Sequence, residues 1–291
     1  MNETVNVCPV CNGEKFVDSF ECPDHFLSKE IFTLQKCSNC DTLITNPRPD
    51  QKSIVTYYKS DSYISHSNQS NSLINVIYKQ VRSITLKRKI KMIERFAFQG
   101  KLLDYGCGTG HFLSYASQHG WNIRGVEPDD TARSQITENL SPYVASSLPE
   151  LTDHDFDVIT LFHVLEHVHS LEETLSDLIA RLNRNGVLFL ALPNYKSADA
   201  ARYGTHWAGY DVPRHLYHFN QKSIFHLSKK YGLNIVSTIP MKFDSYYVSM
   251  LSEKYLGNTS SFLRGMLNGY RSNKQARHTR EYSSLIYVLT K

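Results

Sequence analysis

The sequence predicts an α/β protein in which a seven-stranded, mostly parallel sheet follows a small N-terminal ribbon built on four cysteines. Three observations predict it. From Gly100 onward, apolar runs of strand length alternate with stretches of helical periodicity, the pattern of a parallel sheet with right-handed crossovers. The first of those runs, Lys101-Leu-Leu-Asp104, leads into three alternating glycines, Gly106, Gly108 and Gly110. Near the N-terminus, Cys8-Pro-Val-Cys11 and Cys37-Ser-Asn-Cys40 form two cysteine pairs.

The 291 residues have room for one full α/β domain and something smaller beside it. With 41% hydrophobic and 21% charged residues the chain has ordinary globular composition, and a net charge of +4 is too mild to demand a nucleic-acid partner. The start, Met-Asn-Glu-Thr-Val-Asn-Val-Cys, has neither a basic nor an apolar leader region. No apolar run approaches the length of a membrane span, so a soluble, cytoplasmic protein with no membrane partner is expected.

Taken in order, the chain divides into a ribbon (1–50), a linker with a basic amphipathic helix (51–98) and the sheet domain (99–291). Two-residue spacing lets both thiolates of each cysteine pair reach one ion, so Cys8, Cys11, Cys37 and Cys40 together make a tetrahedral zinc site, with a redox pair as the alternative. Cys22 and Cys107 have no partner at such spacing and read as inert thiols. Pro47 and Pro49 end any strand and set a stiff exit, and the serine-rich run 59–72 reads as a connection. From Leu73 to Phe98, Ile77, Val81, Ile84, Leu86, Ile90 and Ile93 recur at helical spacing, with Lys79, Arg82, Lys87, Arg88, Lys89, Lys91 and Arg95 on the other faces. That basic surface suits solvent and also suits RNA.

Seven strands follow: Lys101 to Asp104, Asn122 to Glu127, a weak one near Tyr143 to Ala145, Asp155 to Phe162, Gly186 to Leu192, Leu233 to Ile239 and Ser284 to Thr290. Ser170-Leu-Glu-Glu173 is a capping box for a helix reaching about Asn183. Asn220 caps a helix over 221–231, which Gly232 terminates. Insertions at 196–220 and 241–282 are longer than connections need. The second is a substrate lid or an oligomer contact, and its basic end suits an anionic acceptor.

Ligands of such sheets gather at the carboxyl ends of the strands, which puts Asp104 to Gly110, Glu127, Phe162 to His167 and Pro193-Asn194 around one crevice. The glycines permit a sharp turn against a ligand, and Glu127 stands where ribose hydroxyls would lie. A dinucleotide fingerprint would read G-x-G-x-x-G, whereas this loop is G-x-G-x-G with an acid ahead of it, which repels phosphate and suits an amino group or a sulfonium.

Asp104-Tyr-Gly-Cys-Gly-Thr-Gly110 with Glu127 resembles motifs I and II of the class I S-adenosylmethionine (SAM)-dependent methyltransferases, whose sheet is Rossmann-like. The resemblance implies that Asp104, Tyr105, Gly106, Cys107, Gly108, Gly110, Phe112, Glu127, Pro128, Phe162 and His163 bind SAM. The stretch from Trp207 to Phe219 is similar to the W-x-G-x-D-x-P-R-H-L-x-H-F loop of a broad methyltransferase group that often carries an N-terminal zinc ribbon. By position it is similar to the acceptor loop of sugar C-methyltransferases, although their Asp-Glu-His appears here as Asp211-Val-Pro-Arg-His215.

His163-Val-Leu-Glu-His167 also matches H-x-x-E-H, but it leaves a buried strand directly rather than lying on a helix, which argues against a metalloprotease. In some quinone-pathway O-methyltransferases the corresponding segment binds magnesium through two acids and a histidine. His163 replaces the first acid here, which disfavours a hard cation, and Glu166 with His167 reads as orienting the following helix. Methyl transfer needs alignment and removal of one proton, and His215 is the leading base, with His167 and Asp211 in reserve. Bracing of the loop by His215 and His218 is an equal reading at this point. The function expected is methylation at oxygen or carbon of a small molecule or glycan precursor. The alternatives are an RNA methyltransferase with a ribbon for RNA, and a non-catalytic SAM-binding module that recruits a partner.

Overall fold

The structure is a computed structural model that describes residues 1–58 and 73–291, with side chains described from Arg82 onward in the first helix. The expected connection 59–72 and the side chains of Ile77, Lys79 and Val81 lie outside the described residues. Thirteen strands are present among them: β1 Asn2–Glu3, β2 Phe16–Pro23, β3 Ile31–Cys37, β4 Leu43–Thr45, β5 Arg48–Pro49, β6 Lys101–Tyr105, β7 Asn122–Val126, β8 Val144–Ala145, β9 Phe156–Phe162, β10 Leu182–Pro193, β11 Tyr217–His218, β12 Asn234–Pro240 and β13 Ser284–Thr290.

Seven of them form the large sheet in the order β12-β13-β10-β9-β6-β7-β8. The pairs β6/β7, β6/β9 and β7/β8 are parallel, with Asp104 opposite Thr160 on one side and Gly125 on the other. The central strands read as continuous apolar runs because both faces are covered, and Leu102, Leu103, Val158, Ile159 and Leu161 are wholly buried. The chain separates into two compact units. One contains the described residues up to Tyr58 with His163–Glu172 and Ala191–Tyr287, and the other contains Leu73–Phe162, Glu173–Leu190 and Val288–Lys291. These units cut across the sequence segments 1–50, 51–98 and 99–291.

In the first unit β2, β3 and β4 make an antiparallel ribbon, and the sheet is completed by β11, so its order is β11-β4-β3-β2. The ribbon and the 196–220 insertion share one core, in which Cys22, Phe32, Leu34 and Leu43 meet Ala200, Tyr203, Trp207, Tyr210 and Val212. Gly209 is required there by space, since a Cβ would stand 2.5 Å from the Trp207 ring. The Trp207 indole donates to Asp199 at 2.8 Å, and Asp199 also accepts from Ser272 and Ser283. Helices α7 (Asp244–Tyr255) and α8 (Ser261–Thr279) fill the 241–282 insertion. The expected cap at Asn220 is present: its side chain accepts from the Ser223 N–H at 2.9 Å, opening α6 (Gln221–Lys230).

In the second unit α1 (Leu73–Ile93) buries Ile90 and Ile93, whereas Ile84, which periodicity puts on the apolar face, is exposed. Lys87, Arg88 and Lys91 face solvent. The helix after the Ser170 box, α4 (Leu171–Arg181), ends two residues before Asn183. Arg181 pins that end by donating to the carbonyls of Leu148, Leu151 and Asp153, and β10 begins at once. No helix among the described residues is long and apolar enough to cross a membrane.

Candidate active site

The residues expected to hold the donor, from Asp104 to Phe162, lie in the second unit. β6 delivers Asp104 to its carboxyl end, where Oδ1 accepts from the Thr160 hydroxyl at 2.6 Å, a partner fixed by the β6/β9 register. Beyond Tyr105 the N–H groups of Gly106 and Cys107 donate to the Val126 carbonyl, which ties the loop to the end of β7. Gly108 has φ +56° and its N–H donates to Glu127 Oε2 at 2.7 Å, while the Asp129 N–H donates to Oε1 at 2.9 Å. A Cβ on Gly108 would meet no atom within 4 Å, so the loop leaves open space on that side. Gly110, also left-handed, opens α2 (His111–Gln118) and leads directly to Phe112.

Phe112 and Phe162 meet edge to face at 5.3 Å between centroids. Lys89 of α1 holds its ammonium 3.7 Å from the Phe162 centroid and 5.5 Å from that of Phe112, so these rings accommodate a cation. Cys107 is buried with its thiol pKa raised, and Pro128 is exposed. Sequence reasoning missed Thr160 and Lys89. Strand register could have found the first, and the second carries no local signal.

Burial raises the Asp104 carboxyl to about 6, against the Thr160 hydrogen bond and the Lys89 charge that favour ionisation. Burial also raises Glu127, opposed by its two backbone donors. A cationic ligand needs the ionised form of Asp104. Its affinity is therefore expected to be flat above pH 7 and to weaken as pH falls through about 6. Calorimetric titration of SAM from pH 5 to 8 reads this. Asp104→Asn should remove the step, and an affinity independent of pH in the wild type would contradict it.

The second cluster lies in the first unit, where the chain leaves β9 at His163. His163 has φ +59°, its Nε2 is 3.1 Å from Asp244 and its Nδ1 is 3.5 Å from Glu166. Burial opposes its charge, but these two carboxylates outweigh burial and raise its pKa to about 10. His163, expected beside SAM, thus has carboxylate partners of its own. Leu165–His167 form a single 3-10 turn, and the Leu216 N–H donates to the Glu166 carbonyl, which fastens the 204–219 loop to that turn.

His167 Nδ1 lies 3.0 Å from the Arg214 carbonyl and 3.0 Å from the Tyr58 hydroxyl, and His215 Nδ1 lies 2.9 Å from the Gly209 carbonyl. A carbonyl only accepts, so both Nδ1 atoms carry a proton, and in the neutral ring that leaves the lone pair on Nε2. Their rings meet at 4.6 Å, and burial with the His215 imidazole lowers His167 to about 4. Asp211 differs from its expected role: Arg214 Nε and Nη2 occupy its carboxylate, and Arg214 also reaches Asp24, with Arg214 and Asp24 both buried. His218 is buried and neutral, 3.2 Å from the Thr45 hydroxyl of β4. His215 and His167 thus come together, while Asp211 serves a buried ion pair.

Cys8 and Cys40 Sγ are 3.6 Å apart, as are Cys11 and Cys37 Sγ. Disulfides would bring sulfurs to about 2.05 Å, whereas thiolates about 2.3 Å from a shared tetrahedral ion stand about 3.8 Å apart. The pairs lie in matching turns closed by Asn12 N to Cys8 O and Asp41 N to Cys37 O, with Asn12 and Asp41 both left-handed.

A seven-stranded sheet with an acid and a glycine loop after its central strand, and a second acid after the next, defines a SAM-dependent methyltransferase. The chain belongs to that family: the methyltransferase-domain family model matches residues 79–238, more than half of the sequence. Among curated proteins it is similar to a ubiquinone biosynthesis O-methyltransferase of Rickettsia bellii, 30% identical over 101 residues that cover 32% of this chain and 42% of the relative. A protein of the same name from Actinobacillus pleuropneumoniae is 31% identical over 110 residues, 33% of this chain and 47% of its own. The matches thus span less than half the length of these relatives. Among solved structures, a cyclopropane synthase of Mycobacterium tuberculosis shares the fold at TM-score 0.50 and 15% identity, over 81% of this chain and 95% of that one.

Proposed function

We propose that this methyltransferase transfers the methyl group of SAM to an oxygen, or second to a carbon, of a small molecule or glycan precursor. The observation that carries this reading is the pair of a half-buried His167, on the turn after β9, and a buried His215, on the loop fastened to that turn, each with Nδ1 held on a backbone carbonyl so that Nε2 is left for another partner. Such lone pairs suit an acceptor hydroxyl that must lose a proton. The name of the curated relatives supports oxygen as the acceptor atom.

The bound SAM supplies an electrophilic methyl on a sulfonium. The chain's part is binding and alignment. Asp104 would meet the amino or sulfonium charge, Glu127 the ribose hydroxyls through its remaining lone pairs, and Phe112 with Phe162 the cationic end. Tyr105, Gly106, Cys107, Gly108, Gly110 and Pro128 would line the same loops.

The four thiolates would hold structural zinc, and their spacing supports it. In this reading the ribbon of residues 1–50 serves as the scaffold of the 204–219 loop, and the 241–282 insertion covers the acceptor. Arg271, Lys274, Arg277 and Arg280 in that insertion suit an anionic acceptor.

Incubation of the protein with methyl-labelled SAM and a cell extract, followed by size fractionation, tests the acceptor class. Label should enter the small-molecule fraction, and label confined to RNA would contradict the proposal. His215→Ala is expected to lower kcat about 100-fold or more with donor affinity unchanged, as read by steady-state kinetics and calorimetry. Normal turnover by a folded His215→Ala variant would remove His215 from the site.

A further inference from the structure

We propose that Arg214 is a positioning residue that sets the tautomer of His167: it fixes its own carbonyl against Nδ1 and so keeps the lone pair of the ring on Nε2. Its bearing on methyl transfer rests on the acceptor-side reading of His167.

His167 needs such a device because its Nδ1 has two neighbours at 3.0 Å that constrain it differently. The Arg214 carbonyl only accepts, so the nitrogen that faces it must carry the proton. The Tyr58 hydroxyl both donates and accepts, and it can serve either tautomer. With the carbonyl in place the hydroxyl proton turns to that same oxygen, 3.5 Å away. With the carbonyl displaced, Tyr58 would donate to Nδ1, and the proton of the neutral ring would pass to Nε2. Burial, together with the His215 imidazole, lowers His167 to about 4. At neutral pH the ring is therefore uncharged, and the tautomer alone decides which nitrogen can take a proton.

The carbonyl is fixed from the backbone and from the side chain. The peptide that carries it donates through the His215 N–H to the Asp211 carbonyl at 3.0 Å, and the next N–H, of Leu216, donates to the Glu166 carbonyl at 2.8 Å. The guanidinium is 1% exposed, and its fork is engaged in three directions. Nη2 donates to Asp211 at 2.7 Å and to Asp24 at 2.9 Å, Nε donates to Asp211 at 3.1 Å, and Nη1 donates to the Tyr57 carbonyl at 3.1 Å. Asp24 belongs to the ribbon, 190 residues earlier in the chain, and is itself held by the N–H groups of Phe26, Leu27 and Ser28. The Tyr57 contact also ties down the residue that adjoins Tyr58. One side chain thus holds both neighbours of His167 Nδ1 in place. Lysine has the charge but lacks the planar fork that makes these bonds together.

Nuclear magnetic resonance of full-length protein with isotope-labelled histidine ring nitrogens tests this without turnover, the His167 signals being assigned by their loss in His167→Gln. The wild type should show Nδ1 protonated. Arg214→Lys should move the proton to Nε2, and so should Asp24→Asn, a second variant that leaves Arg214 paired with Asp211. Both should lower kcat about tenfold or more with the Kd for SAM unchanged. Tyr58→Phe should leave the proton on Nδ1, because the carbonyl stays. A wild-type ring protonated on Nε2, an unchanged tautomer in both folded variants, or a tautomer that Tyr58→Phe alone reverses would overturn the proposal. A reversed tautomer in the Arg214 and Asp24 variants with undiminished turnover would keep it and remove His167 from the acceptor reading.

Discussion

Cys40→Ser is expected to lower methyl transfer at least about 100-fold while SAM still binds, because in the proposed reading the acceptor residues depend on the ribbon and the donor residues do not. Cys40 is buried, with Sγ 3.6 Å from Cys8 Sγ and 3.1 Å from the Thr42 hydroxyl. A structural zinc ion contributes on the order of 10 kcal/mol or more to folding in small ribbons, more than three short strands gain from burial alone. If the four thiolates hold zinc, as proposed, loss of one is expected to unfold the ribbon and the loop with it. Leu34 and Leu43 lose Trp207 and Tyr210 as core partners, β4 no longer pairs with β11, and the Thr45 hydroxyl no longer donates to the His215 carbonyl at 2.8 Å. Asp104, Gly108 and Glu127 draw their hydrogen bonds from the second unit alone. Calorimetry with SAM, beside turnover and near-ultraviolet circular dichroism, separates the two sides. Intact turnover in the variant would contradict the scaffold role, and loss of SAM binding would contradict the independence of the donor loop.

Glu127→Gln should raise the Kd for SAM between about tenfold and several hundredfold. The carboxylate already accepts from the N–H groups of Gly108 and Asp129, so it shapes the glycine loop before any ligand arrives. Hydrogen bonds to a charged group contribute about 1.5–3 kcal/mol each. Glutamine keeps one acceptor oxygen but turns an NH2 toward the other donor, so one backbone N–H is orphaned and, in the proposed reading, one ribose partner is lost. Calorimetry checks it, and an unchanged Kd would show that Glu127 bears no ligand.

Most of the donor side is legible in the sequence because its signals are local. The strand, Asp104, the glycines and the next acid stand within one βαβ unit, and all seven expected strands are present, the weak third one as Val144–Ala145. The acceptor side is less legible because its determinants are pairings between distant segments. Nothing near Tyr217-His218 announces that these two residues complete the sheet of a ribbon that ended by Pro49. Asp211 reads as a spare carboxylate until Arg214 and Asp24 are seen around it, and His163 reads as a cofactor contact until Asp244 supplies its partner. The cysteine spacing gives the knuckles but not the core that the ribbon shares with Trp207 and Tyr210.

The loop from Asp104 to Gly110, with Glu127, is expected to bind SAM as the methyl donor. Calorimetric titration of the full-length protein with SAM at pH 7.5, beside Asp104→Ala, tests it most directly. About one saturable site per chain is expected in the wild type, with affinity at least about tenfold weaker in the variant. No binding by the wild type, or equal binding by both, would contradict it.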